Sequence, residues 1–189
     1  AIHNGADDNA SGTVAAMQIG TMLRKALASS PSHSSLLVLL FTGEEVGLAG
    51  SSYFVQHPPV PLDRITAMIN LDMVGRLRDG ELVALGSQTA PEWPALLEVA
   101  SREVPGLKLN AHGDGYGPSD QTSFYAAGIP VLHFFTGAHE EYHTPQDDAG
   151  TLNPQGAAQI EEFTVSLLRQ LATRPTGLTY VRTSAGPAM

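Results

Sequence analysis

Apolar residues along this chain switch repeatedly between helical and extended spacing. Ala15, Met17, Ile19, Met22, Leu23 and Leu27 recur at a helical interval, with Asn9 or Ser11 ahead of them as a cap and Ser29-Ser30-Pro31-Ser32 as the break. Residues 35–41 then read Ser-Leu-Leu-Val-Leu-Leu-Phe, a continuous apolar run that predicts a strand buried on both faces. A short helix is predicted over 47–56, ended by His57-Pro58-Pro59, and strands over 65–71 and 81–85. A helix over 91–104, a short strand over 107–111, a helix over 121–127 and a strand over 130–135 follow. A last helix fits 154–171, with Pro154 in its first turn. The stretch 174–189 is rich in Pro, Gly, Thr and Ser and reads as an irregular or docked tail, which leaves 1–173 as one domain.

Strands alternating with helices imply a layered α/β domain with a largely parallel sheet. In such sheets ligands sit beyond the carboxyl ends of the strands. Glu44 and Glu45 follow the 35–41 run, Asp72 ends the 65–71 run, and His143 lies in the loop after 130–135. Asp8 stands just ahead of the first helix, so all five fall on one rim of one sheet.

Composition narrows the options. At 189 residues, 42% hydrophobic and 15% charged, the chain is long and apolar enough for one packed domain. A net charge of −9 argues against nucleic acid as a partner, since phosphate binding needs clustered Lys and Arg. There is no cysteine, which excludes thiolate metal sites and disulfides. No apolar run reaches the roughly 18 residues of a membrane span, so no membrane partner is expected. Ala1 is not an initiator methionine and stands close to a motif, which reads as a piece of a longer protein.

Each carboxylate alone has an ordinary explanation: an Asp before a helix is a cap, and a Glu-Glu pair after a strand is a solvated loop. Their joint order at the strand ends favours a metal site. Neighbouring side chains diverge in a turn, so one of Glu44 and Glu45 can ligate while the other acts as general base and then general acid. Asp8 is best placed to bridge two ions about 3.5–4 Å apart. Imidazole and carboxylate donors suit zinc, with Mn and Co as alternatives.

Two motifs are highly specific: Asn4-Gly5-Ala6-Asp7-Asp8-Asn9-Ala10-Ser11-Gly12 and Thr42-Gly43-Glu44-Glu45-Val46-Gly47-Leu48-Ala49-Gly50-Ser51. Ser119-Asp120-Gln121-Thr122-Ser123-Phe124 and Tyr142-His143-Thr144-Pro145 add to them. With these the chain resembles the dinuclear zinc aminopeptidases of the aminopeptidase Y type, from about Asn4 to Leu171. The resemblance implies a three-layer α/β/α sandwich with a mostly parallel mixed sheet, here lacking its N-terminal strands. It implies hydrolysis of the N-terminal peptide bond of peptides or proteins, in a secreted or periplasmic setting. Asp8 would bridge, Glu45 and His143 would complete one zinc, and Asp72 would bind the other. Glu44 would be the general base and Tyr142 would hydrogen-bond the oxyanion. Asp120 and His139 would help line the substrate pocket.

The same resemblance places a further zinc ligand in a His-x-Asp motif upstream of Asp8. No such motif lies there; His3 is the single histidine ahead of Asp8 and reads as an ordinary loop residue. The expectation is two zinc ions in the intact parent domain and one in this chain, at Asp8, Glu45 and His143, with weak or no peptidase activity. Another chain supplying the missing segment is one way to complete the fold. A single-zinc glutaminyl cyclase-like acyltransferase and a non-catalytic peptidase-like binding module are the rival readings.

Overall fold

The computed structural model describes residues 2–183. Its sheet has four strands, β1 (Met68–Leu71), β2 (Glu81–Leu85), β3 (Lys108–His112) and β4 (Val131–Phe135), in the order β1-β4-β2-β3. β1 runs parallel to β4 and β2 parallel to β3, while β4 and β2 are antiparallel. Five helices cover it: α1 (Gly12–Ala26), α2 (Ala49–Gln56), α3 (Trp93–Glu103), α4 (Gln121–Ala126) and α5 (Pro154–Thr173). α5 packs on α1 and α3, and α2 packs on α4, which gives the α/β/α layering that the resemblance implies.

The apolar periods explain the layers. Leu132 and Phe134 of β4 point into a core shared with Trp93, Leu97, Ile160 and Phe163, while Val131 points the other way, toward Phe124 and Tyr125. That period of two, apolar on both sides, is what a strand between two helix layers requires. The Trp93 indole N–H donates to Thr89 Oγ1 at 2.9 Å, so the largest core side chain buries no unpaired donor. α5 begins where the Asn153 side chain accepts from the Gly156 N–H at 2.9 Å, with Pro154 in the first turn. Residues 174–183 carry no regular structure and are fastened by Thr179 on Glu92 and by the Val181 N–H on the Thr89 carbonyl. The rest of the tail, 184–189, lies outside the described residues. Among the described residues no helix is long and apolar enough to cross a membrane.

One expected element is absent. Residues 35–41 carry no regular structure and join no strand, and among the described residues their backbone makes no hydrogen bond to another backbone group. Leu36, Leu37, Val38 and Leu40 are 38%, 48%, 44% and 54% exposed, where burial on both faces was expected. The physical reason is pairing: a strand needs a neighbour for its N–H and C=O groups, and β1, at the sheet's end, is hydrogen-bonded on the β4 side only. The segment is held by side chains instead. Leu39 and Phe41 pack toward Phe124, and Val38 lies over Gly20 of α1.

Candidate metal centre

Glycine sets the approach of the first loop. Gly5 has φ +60°, and a Cβ there would sit 2.5 Å from the Asp8 carbonyl oxygen. A Cβ at Gly12 would come within 2.1 Å of the Leu71 carbonyl oxygen, so the start of α1 can touch the end of β1 at a glycine alone. This contact brings Asp8 beside Asp72. The Asp8–Asn9 peptide is cis. Asn9 spans the junction, donating to Leu71 O at 3.0 Å and accepting from the N–H groups of Gly12 at 3.0 Å and Met73 at 3.2 Å. Behind it the buried Asp147 carboxylate accepts from the Asp7 N–H at 3.0 and 3.1 Å and the Asp8 N–H at 3.0 Å.

The three residues expected to form one zinc site meet. His143 Nε2 lies 2.8 Å from Glu45 Oε1 and 3.0 Å from Asp8 Oδ2, and one donor atom from each of the three lies within 4.8 Å of the others. His143 takes the left-handed backbone, φ +56°, which costs a non-glycine residue about 1–3 kcal/mol and turns its ring into the group. The Tyr142 ring stacks on it at 3.8 Å between centroids, inclined 23°. Asp72 sits beside the trio without joining it, its Oδ2 accepting from Ser119 Oγ at 2.7 Å.

Charge crowding shows in the protonation equilibria. Burial, then the charges of Asp72 and Glu45, push Asp8 up to about 6, against the pull of His143. Burial, then Asp72 and Glu45, push Glu44 up to about 7. Burial, then Asp8 and Glu45, raise the Tyr142 hydroxyl. Asp8, Glu44, Glu45 and Asp72 repel one another, and a divalent cation would relieve that repulsion. With oxygen and nitrogen donors at this spacing, Asp8, Glu45 and His143 fit zinc.

Asp120, just ahead of α4, lines the same cavity as Asp8, Glu44 and Asp72. It is buried with Oδ1 unpartnered, and burial raises its carboxyl against a hydrogen bond from Ser51. His139 lies elsewhere than expected. Its side chain is 2% exposed and does not line that cavity. Its Nε2 sits 3.2 Å from Asp7 Oδ2 without hydrogen-bond alignment, and its Nδ1 is 2.8 Å from the Arg76 guanidinium. Arg76 also binds Glu141 at 2.7 Å, which lowers the Glu141 carboxyl. His139 therefore braces the loop of Asp8 against the loop of Tyr142 and His143. His3 is exposed, and His133 is buried in β4, where desolvation lowers its imidazole.

Sequence reasoning missed the supporting layer: Asp7, Arg76, Ser119 and Asp147. Asp147 carried a signal, a carboxylate four residues after His143 in Pro145-Gln146-Asp147-Asp148. Arg76 carried none.

Comparison with known proteins decides the family. Residues 1–168 match the model of peptidase family M28. The chain belongs to peptidase family M28. Aminopeptidase YwaD of Bacillus subtilis (strain 168) is 34% identical over 171 residues, 84% of this chain and 36% of that protein. Among solved structures, the aminopeptidase from Aneurinibacillus sp. strain AM-1 superposes with a TM-score of 0.77 at 27% identity, covering 96% of this chain and 43% of the other. BSAP, a zinc aminopeptidase from Bacillus subtilis, gives 0.75 at 26%, covering 91% and 43%. The M28 chain thus spans less than half the length of these relatives.

Proposed function

We propose that this chain carries the catalytic centre of a zinc-dependent aminopeptidase that releases the N-terminal residue of peptides. The observation that supports it is the meeting of His143, Glu45 and Asp8 beside a free Glu44. Zinc, when bound by those three, supplies Lewis acidity toward the scissile carbonyl and toward water. Glu44, poised near neutrality, takes the proton of the attacking water and returns it to the leaving amine. The Tyr142 hydroxyl donates to the oxygen that gains negative charge, and Asp72 and Asp120 meet the substrate's ammonium group. A positively charged N-terminus suits this acidic surface, whereas a terminal carboxylate would need an arginine clamp. Within residues 1–189 the reading gives one zinc, at Asp8, Glu45 and His143.

The test is release of leucine from Leu-Gly-Gly, with acetyl-Leu-Gly-Gly as the control, in the zinc-loaded protein. Glu44→Gln should lower kcat by about 100-fold or more while zinc remains bound. Equal cleavage of the acetylated peptide, or full activity in Glu44→Gln, overturns the reading. A peptide with N-terminal glutamine separates the cyclase-like rival, since cyclisation loses ammonia without cutting a peptide bond.

A further inference from the structure

Three loops of the metal centre meet at one buried imidazole. His139 opens the turn that carries Tyr142 and His143, its carbonyl accepting the Tyr142 N–H at 3.2 Å. Asp7 stands directly before Asp8, and Arg76 lies four residues beyond Asp72 on the segment that leaves β1. The side chains of His139 and Asp7 are both enclosed.

The two ring nitrogens face opposite kinds of group. Arg76 Nη1 stands 2.8 Å from His139 Nδ1 and 2.7 Å from Glu141 Oε2, so its two N–H bonds serve one acceptor each. A guanidinium donates and never accepts. Nδ1 must therefore present its lone pair, because a proton there would set two donors head-on. That leaves the ring proton on Nε2. Nε2 lies 3.2 Å from Asp7 Oδ2, and among the described residues both atoms are shut off from solvent and make no hydrogen bond elsewhere. A proton on Nε2 thus answers the open acceptor it faces, where an unmatched buried pair would be destabilising. Asp7 passes the constraint on: its Oδ1 accepts from the Gly75 N–H at 2.7 Å, and its backbone runs straight into Asp8. Asp8 Oδ2 and His143 Nε2 are 3.0 Å apart, one on each side of this contact.

We propose that Arg76 is a positioning residue of the metal centre: its guanidinium holds His139 in the Nε2–H tautomer, and the proton so directed at Asp7 sets the spacing of Asp8 and His143. Asp8, Glu45 and His143 enter here as zinc ligands, so the role rests on that reading. Glu141 completes the device by holding Arg76 against the ring. In the opposite tautomer Nδ1–H would turn to Glu141 Oε2, 3.3 Å away, and the bare lone pair of Nε2 would confront the Asp7 carboxylate. Those two repel, the Asp8 loop and the His143 turn part, and the ligand atoms lose their spacing.

The experiment reads the tautomer in the metal-free chain and zinc affinity separately. Long-range proton–nitrogen correlation spectra of the isotope-labelled chain, with His139 assigned by the signal lost in His139→Gln, should show a bare Nδ1 and a protonated Nε2. Arg76→Met should move the proton to Nδ1 and weaken zinc about tenfold in isothermal titration. His139→Gln places an amide N–H near the Nε2 position and should hold zinc within about threefold of the native chain; His139→Asn places it near Nδ1 and should weaken zinc about tenfold. The His139 pair decides the matter where Arg76→Met does not fold. The proposal is overturned by a protonated Nδ1 in the native chain, by an unchanged tautomer or zinc affinity in Arg76→Met, or by equal zinc binding in His139→Gln and His139→Asn. A native chain that binds no zinc overturns the functional reading, and the positioning role with it, whichever tautomer is found.

Discussion

β4 and residues 35–41 carry the same kind of sequence, and their surroundings differ completely. β4 lies between β1 and β2, with Leu132 and Phe134 fully buried under α3 and α5. Residues 35–41 pack some side chains against Phe124 and leave their backbone and four large apolar residues open. The difference shows that an apolar run states a demand for burial, while a strand exists only where a neighbour meets its backbone. β4 is closed on both edges by its neighbours, and residues 35–41 are open along their backbone.

Substitutions should separate the two segments sharply. Phe134→Ala in β4 should destabilise the chain by about 3–5 kcal/mol in urea unfolding, whereas Leu40→Ser should change stability by less than about 0.5 kcal/mol. Equal costs would mean that 35–41 is packed as tightly as β4. Next comes zinc, which should stabilise the chain by about 2.7 kcal/mol at a hundredfold excess over its Kd, read as a shift in thermal midpoint. His143→Ala should abolish that shift, and Glu44→Gln should keep it. Asp147→Ala, which strips charged acceptors from the Asp7 and Asp8 N–H groups, should cost about 1.5–3 kcal/mol and weaken zinc binding in isothermal titration.

The smallest effect is that of pH on the metal-free chain. Asp8 and Glu44 have folded pKa values of about 6 and 7, above their ordinary 3.8 and 4.5. The folded chain then holds more protons than the unfolded one across roughly pH 4–7, so stability falls as pH rises through that window. Set against Glu44→Gln, the chain's thermal midpoint should fall further between pH 5 and pH 8, on the order of a few degrees, and zinc should flatten the trend. An equal course in the chain and in Glu44→Gln would contradict the crowding of carboxylates around Asp8 and Glu44.

Much of this was legible in the residues. Strand 81–85 and the start of α5 at Pro154 follow directly from local apolar period and capping. The α/β alternation placed Asp8, Glu44, Glu45, Asp72 and His143 on one rim, and the resemblance singled out Asp8, Glu45 and His143, which meet. Other features depend on contacts between distant residues. Nothing local to residues 35–41 reveals which segment would lie beside them. His139, near the expected pocket in sequence, turns inward because Asp7, Arg76 and Glu141 surround it, and Asp7 and Arg76 come from two other loops. Ser119 reaches Asp72 across 47 residues of chain, a pairing that neither motif announces.

Asp147 and His143 belong to the same loop, and Asp147 grips the backbone that presents Asp8. Two of the three donors are therefore mounted on a single bracket, and their separation is fixed when the chain folds. An arriving cation finds that jaw preset, with the more exposed Glu45 already 2.8 Å from the imidazole, so little ordering entropy remains to oppose its capture.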